Sequence, residues 1–266
     1  MLFTNKIKWI KDFLRFKTYF LFNLFMGDDY DYHSLCQKNT QHLKNAQTLN
    51  LPNLYNISSF QKKTQLSVHE AGVVDYFERK EIEEYISLKY REKHNATLTH
   101  FSSTLFVGTS EDQMQVAIGI EHLKTHKAFL EQYLEQPIER SLQNITQQHV
   151  SRSKIVEIGN LASENMEYAK MIVAFLVFYL SLDGAEWAVC TGTIAVRYVL
   201  QQMGLHFHVL EKANPDVLGE AKKQWGNYYE QKPLVLAINV AESLSVTQKN
   251  YDFNVGKIIK TGGFLL

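Results

Sequence analysis

The sequence has few of the features that identify a function most readily. Its 266 residues include only two cysteines, Cys36 and Cys190, which excludes a disulfide framework and suits a reducing compartment. The formal net charge is zero, so bulk electrostatics give no reason to expect a nucleic-acid partner. No uninterrupted apolar run reaches the roughly 20 residues that a membrane-spanning helix needs. We therefore expect a cytoplasmic protein.

Several well-known motifs are also missing. There is no glycine-rich dinucleotide or Walker loop and no serine-hydrolase elbow. No paired Cys-x-x-Cys occurs, and the sequence predicts no metal site and no bound cofactor. His206 and His208 share one face of a predicted strand, but a third ligand is lacking, and a solvated strand face accounts for them.

Residues 1–27 differ from the rest of the chain in composition. Five cations stand against the single acid Asp12, and Trp9, Phe13, Phe16 and Phe20 recur at helical spacing. Such a basic aromatic leader resembles a helix that lies in a membrane interface. It is also compatible with an extension without structure, or with Met26 as the true start. The expectation that the protein contacts a membrane surface, and is peripheral there, therefore depends on this leader.

The remaining chain divides by its patterning. Residues 28–64 are polar and predict a linker, residues 65–241 predict the folded domain, and 242–266 form a C-terminal tail. Within the domain, a strand and a helix precede a β-hairpin and a helix that Pro137 opens. A strand over 153–160, a helix over 166–182 and further alternating elements follow. This order predicts an α/β fold with a central mixed sheet and helices on both faces.

Two strand–helix junctions are the candidate site. In an open α/β sheet, ligands bind outside the carboxyl ends of strands, where helix N-termini offer free N–H groups. We expect Glu157, Asn160, Thr191 and Thr193 to lie near one crevice there, with Glu157 able to accept a proton. The alternation in "KIVEIGNL" puts Val156 and Ile158 on one face of the strand and Glu157 on the other. A second interpretation is therefore open, in which Glu157 simply faces solvent.

A family resemblance appears at this point. The blocks that carry it are "FLEQYLEQPIE", "IVEIGNLAS", "EWAVCTGT", "LQQMGL" and "WGNYYEQKP". Together they resemble the bacterial thermostable hemolysins over roughly residues 66–240. That family is similar in fold to the GNAT acyltransferases, and most of all to the acyl-homoserine-lactone synthases. The resemblance therefore implies a GNAT-like fold.

The resemblance also implies roles for particular residues. Glu157 matches a glutamate that activates the acceptor amine, and Asn160 stands where the synthases carry an arginine. Backbone N–H groups around Leu161 and Ala162 would bind the thioester carbonyl, with Thr191 and Thr193 positioning the donor. "NLASENMEYAK" lacks the glycines of the coenzyme A pyrophosphate loop, and Leu200 replaces a tyrosine that protonates the leaving thiolate, with Tyr198 nearby but on another face.

The aromatic block "WGNYYEQKP" allows two interpretations. Trp225, Tyr228 and Tyr229 either line a substrate pocket or hold a loop against the core.

We expect an acyltransferase that moves an acyl group from acyl-CoA or an acyl carrier protein to an amine or hydroxyl of a small molecule or lipid. The alternatives are a membrane-active lytic protein and a non-catalytic domain that binds an acylated ligand.

Overall fold

A computed structural model describes residues 53–57, 64–70 and 76–250. The strands are β1 Asn53–Ile57, β2 Thr64–Glu70, β3 Thr104–Ser110, β4 Gln113–His122, β5 Ile155–Ser163, β6 Trp187–Gly192, β7 His208–Lys212 and β8 Leu234–Asn239. The α-helices are α1 Tyr76–His94, α2 Ile138–Thr146, α3 Met166–Asp183, α4 Ile194–Gln202 and α5 Val240–Asn250. Short 3₁₀ helices include Phe129–Tyr133, Pro215–Trp225 and Tyr228–Gln231.

All eight strands belong to one sheet, in the order β1-β2-β3-β4-β5-β6-β8-β7. Strands β5 and β6 pair in parallel, and the other pairs are antiparallel. The parallel pair needs a crossover, which α3 supplies. The predicted mixed sheet is confirmed.

Helices cover both faces of the sheet. Helices α3, α4 and α5 pack on the face that carries Val156, Ala188 and Leu236. Helix α1, helix α2 and the 3₁₀ turn Phe129–Tyr133 pack on the opposite face, which we call the Glu157 face. The apolar circumference of α3 follows from its position, because this helix contacts the sheet on one side and α5 on another.

Local signals set the ends of α3. The Asn165 side chain accepts hydrogen bonds from the N–H groups of Glu167 and Tyr168, and Gly184 ends the helix in the left-handed conformation with φ +83°. The predicted helix over 166–182 is therefore nearly exact. Pro137, predicted as the first helical residue, is the N-cap of α2.

Two elements lie across the predicted domain boundaries. Strand β1 falls inside the range assigned to a linker, and α5 continues beyond residue 241 into the predicted tail. Among the described strands, β1 lies at the edge of the sheet and pairs with β2, and backbone pairing of this kind leaves little trace in composition. Residues 1–27, the predicted leader, lie outside the described residues. Within the described ranges, no helix combines the length and the hydropathy that crossing a bilayer requires.

Candidate functional site: a cavity between two separating strands

The site begins where β5 and β6 separate. Their parallel pairing ends at Ile158 and Cys190, although β5 continues to Ser163 and β6 to Gly192. Beyond that point β5 stays paired only with β4, and β6 only with β8. A gap therefore opens in the middle of the sheet.

A β-bulge in β5 lies at the same level. Gly159 pairs with Gly119 of β4 and Ala162 pairs with Ala117, so that Asn160 and Leu161 together oppose a single residue. A bulge of this kind leaves the extra residue outside the ladder and bends its strand. The bend directs β5 away from β6 and places bulge backbone beside the gap.

Asn160 holds the bulge in shape. It adopts the left-handed conformation with φ +53°, which asparagine tolerates better than most residues. Its Oδ1 accepts hydrogen bonds from the backbone N–H of Ser102 at 2.9 Å and from the Ser102 hydroxyl at 3.0 Å. A Cβ at Gly119 would lie 2.5 Å from that hydroxyl, so glycine is required there. These contacts give the Asn160 side chain an anchoring role beside its predicted catalytic one.

A cavity of about 590 Å³ occupies the gap. Its inner wall is apolar and comes largely from α3, α4 and the strands behind them. The wall includes Val173, Leu176, Val177, Leu180, Ala188, Val199, Leu205 and Ile238. Its outer part is lined by β5 beyond the split and by the end of α1. The cavity therefore runs from the Glu157 face of the sheet, through the gap, into the apolar layer under α3.

Six of the nine predicted site residues line this cavity: Asn160, Leu161, Ala162, Thr191, Thr193 and Tyr228. The Thr193 hydroxyl is the N-cap acceptor of α4. The carbonyl oxygen of Thr191 accepts a hydrogen bond from the Tyr228 hydroxyl at 3.0 Å. The Thr191 hydroxyl itself is buried without a hydrogen-bond partner in the described part of the chain. The Nδ1 atom of His94, which also lines the cavity, is likewise buried without a hydrogen-bond partner in the described ranges.

Glu157 lies beside the cavity rather than on its wall. Its carboxylate is held by the first turn of the 3₁₀ helix, where Oε2 accepts from the N–H of Phe129 at 2.8 Å and Oε1 from that of Leu130 at 2.9 Å. Burial raises the pKa of Glu157 to about 7, and the two N–H groups oppose that rise. The carboxylates of Glu131 and Glu121 add to it, and Glu121 is the direct cross-strand neighbour on β4. A carboxyl in this environment exchanges its proton near neutral pH.

Trp225 and Tyr229 pack against the turn that holds Glu157, and both also contact the ring of Tyr228. The Tyr229 hydroxyl hydrogen-bonds the hydroxyl of Tyr133, and the Trp225 ring lies 5.6 Å from that of Phe129. Burial raises the pKa of Tyr133, with a contribution from Glu157. The predicted aromatic block is therefore divided, with Tyr228 on the cavity wall and its two neighbours over the turn that holds Glu157.

Some cavity residues escaped the sequence analysis. Tyr90 and His94 of α1 line the outer part, and the Tyr228 ring stacks on Tyr90 at 6.4 Å and meets His94 edge-on at 5.2 Å. The local sequence pattern of α1 gave no sign of these contacts, because Tyr228 is more than 130 residues away along the chain. Tyr198 and Leu200 both line the cavity, and their exposures of 50% and 4% agree with the different helix faces expected for them.

No metal centre is found in the described ranges, where no three His, Cys, Asp or Glu side chains converge as ligands.

The described architecture is that of the GNAT-like fold. Its mixed sheet opens between the two parallel strands β5 and β6, and a bulge lies where they separate. The crystal structure of the acyl-homoserine-lactone synthase LasI has a TM-score of 0.51 to this chain at 9% identity, covering 72% of this chain and 96% of LasI. FeeM, an N-acyl amino acid synthase from uncultured soil microbes, gives a TM-score of 0.49 at 10% identity, covering 75% of this chain and 100% of FeeM.

The sequence identifies the family. The family described as thermostable hemolysin matches residues 74–244, and the chain belongs to it. No curated protein matches the chain. The resemblance found in the sequence blocks is therefore confirmed for the family and for the fold.

Proposed function

We propose that this protein is an acyltransferase that moves an acyl group from a thioester donor to an amine or hydroxyl acceptor. The cavity at the β5–β6 split carries the proposal. Its inner wall is apolar and suits an acyl chain, and burial of such a chain stabilises the complex by roughly 0.8 kcal/mol per CH₂. The bulge backbone and Thr191 line the cavity where the chain would meet the thioester.

The chemistry follows from the two faces of the sheet. The acceptor approaches from the Glu157 face, and its nitrogen or oxygen attacks the thioester carbonyl carbon. The proton of the acceptor passes to Glu157, directly or through water, because its pKa near 7 matches neutral pH. The oxyanion is stabilised by N–H groups of the bulge around Leu161 and Ala162. The C–S bond then breaks as the carbonyl re-forms, and the thiolate takes up a proton from Glu157 or from water.

The start of α3 bears on the donor. Coenzyme A carries a pyrophosphate, for which a free helix N-terminus is the usual site. Here the Asn165 side chain already occupies the N–H groups of Glu167 and Tyr168, at 3.0 and 3.1 Å. Glu164 and Glu167 add negative charge, which Lys89 and Lys170 pair with. These contacts favour a donor that places no pyrophosphate there, such as an acyl group on a carrier protein.

The test uses a thioester panel and a matched pair of variants. Octanoyl and longer thioesters of pantetheine and coenzyme A are added, and thermal unfolding is followed. A donor at about 100 times its Kd adds about 2.7 kcal/mol to the stability of the native state. Ala169 lines the cavity, whereas Ala174, five residues further along α3, is buried in the core outside the cavity lining. Ala169→Leu should abolish the stabilisation by the thioester. Ala174→Leu should lower the stability of the free protein by roughly 1–3 kcal/mol but keep the stabilisation by the thioester.

The outcomes separate the alternatives. No stabilisation by any thioester contradicts the proposal. Stabilisation without turnover favours an acyl-binding domain, and turnover that survives Glu157→Gln removes Glu157 from the mechanism. Equal affinities for acyl-pantetheine and acyl-CoA support a donor recognised without its pyrophosphate. The lytic alternative depends on residues 1–27, and no contact of the described residues favours it.

A further inference from the structure

The turn that holds Glu157 is itself fixed by an ionic network. Arg152 precedes β5 and donates two hydrogen bonds to the carboxylate of Glu131, at 2.8 and 2.7 Å. It also donates to the carbonyl oxygens of Leu123 at 3.0 Å and His126 at 2.8 Å. A further bond of 2.6 Å reaches Glu139 of α2. One guanidinium thus connects the whole segment between β4 and α2.

Glu131 uses the same carboxylate to shape the turn from within. It accepts hydrogen bonds from the N–H of Ala128 at 2.9 Å and from that of Ile138 at 3.0 Å. The residue is only 6% exposed. Burial alone would raise the pKa of Glu131, but Arg152 and the two N–H groups bring it below its ordinary value. Glu131 is therefore an ionised structural group at neutral pH.

The N–H groups that Glu157 needs lie between these anchors. Phe129 and Leu130 follow Ala128 directly, so the position of both N–H groups depends on where Arg152 and Glu131 place the turn. Two further carboxylates disfavour the charge of Glu157, those of Glu121 on β4 and Glu131 on the turn. Glu157 in turn raises the pKa of Tyr133 on the turn and of Cys190 on β6.

We propose that Arg152, acting through Glu131, is a positioning residue that controls how readily Glu157 takes up a proton. Two carboxylates meet at this turn and have divided roles. Glu131, within the turn, is ionised and holds the backbone, whereas Glu157, from β5, exchanges a proton. Neither Arg152 nor Glu131 lines the cavity. Their effect on acyl transfer rests on the function proposed above, whereas their effect on Glu157 does not.

The test uses substitutions that keep every charge. Arg152→Lys retains the cation but loses the two-pronged contact, and Glu131→Asp retains the anion but is too short to reach its three partners together. Glu139→Asp is the matched control, because Glu139 contacts Arg152 and not the turn. Full-length protein labelled with ¹³C at the glutamate carboxyl is titrated by NMR. The Glu157 resonance is identified by its loss in Glu157→Gln.

Weaker hydrogen bonds to an ionised carboxylate raise its pKa. We expect the midpoint of Glu157 to rise by about one pH unit in Arg152→Lys and in Glu131→Asp, and to stay unchanged in Glu139→Asp. A purely structural role would lower the melting temperature without moving the midpoint, and that result in both variants overturns the inference. If the midpoint moves but the pH profile of acyl transfer does not follow, the inference stands and the assignment of Glu157 as the base fails.

Discussion

Replacing Phe129 with proline would remove one of the two N–H groups that hold the Glu157 carboxylate. The backbone accepts the change, because Ala128 already has φ −66° and ψ 142°, the conformation favoured before proline. Phe129 is also the first residue of its 3₁₀ helix, where a fixed φ near −65° is compatible. The substitution therefore deletes a donor while leaving the fold of the turn in place.

The magnitude follows from the hydrogen bond that is lost. A bond to a charged group contributes about 1.5–3 kcal/mol, and one pKa unit corresponds to about 1.4 kcal/mol. The pKa of Glu157 should therefore rise from about 7 by roughly one to two units. The acidic limb of the kcat/KM profile for acyl transfer should move to higher pH by the same amount.

Phe129→Ala is the control for this substitution. It loses the ring contacts with Tyr133 and Trp225 but keeps the N–H donor. The ring is 42% exposed, so its loss costs little stability. The midpoint of Glu157, measured by ¹³C NMR, should shift in the proline variant alone. Equal midpoints in the two variants would refute the assignment of this N–H group.

Three further results are expected. The pKa of Glu157 is about 7 in the folded state, against an ordinary value of 4.5. Between these two pH values the folded state holds a proton on Glu157 that the unfolded state has released. The stability of the wild type therefore falls as pH rises from 4.5 to 7. Relative to Glu157→Gln in urea titrations, the wild type should lose at most about 3 kcal/mol between pH 4 and 9, and a constant difference would contradict the raised pKa. Asn160→Gly should be more stable than Asn160→Ala by about 1 kcal/mol, since only glycine adopts a left-handed backbone freely, and equal urea midpoints would argue against that conformation. Deletion of residues 1–27 should leave acyl transfer unchanged and should abolish any lysis of liposomes that the leader causes. Lysis that persists after the deletion would exclude the leader as its cause.

Local patterns predicted the secondary structure well in the second half of the chain. The alternation in "KIVEIGNL" correctly put Glu157 on the opposite face from Val156 and Ile158. The cap residues of α3 fixed its ends, because capping is decided by neighbours in sequence. Strand β1 was missed because an edge strand is stabilised by backbone pairing with β2, which no local pattern reports.

The candidate site was only partly predictable. The two strand–helix junctions do converge, since parallel neighbouring strands bring their carboxyl ends together. Glu157 was expected in the same crevice as Thr191, but its side chain points to the turn Phe129–Tyr133. The N–H groups that Glu157 binds there, those of Phe129 and Leu130, are 28 and 27 residues away in the sequence. Residue spacing cannot reveal contacts at that distance.

The sequence by itself determined the family, the alternation of strands and helices, and the presence of a carboxylate just before the bulge of β5. These depend on residue type and on neighbours along the chain. Only the tertiary structure decided that β5 and β6 separate beyond Ile158, that a cavity fills the gap, and that Glu157 rests on two backbone N–H groups under the control of Arg152. Each of these depends on segments distant in sequence meeting in space, where burial and hydrogen bonding set the chemistry of a side chain.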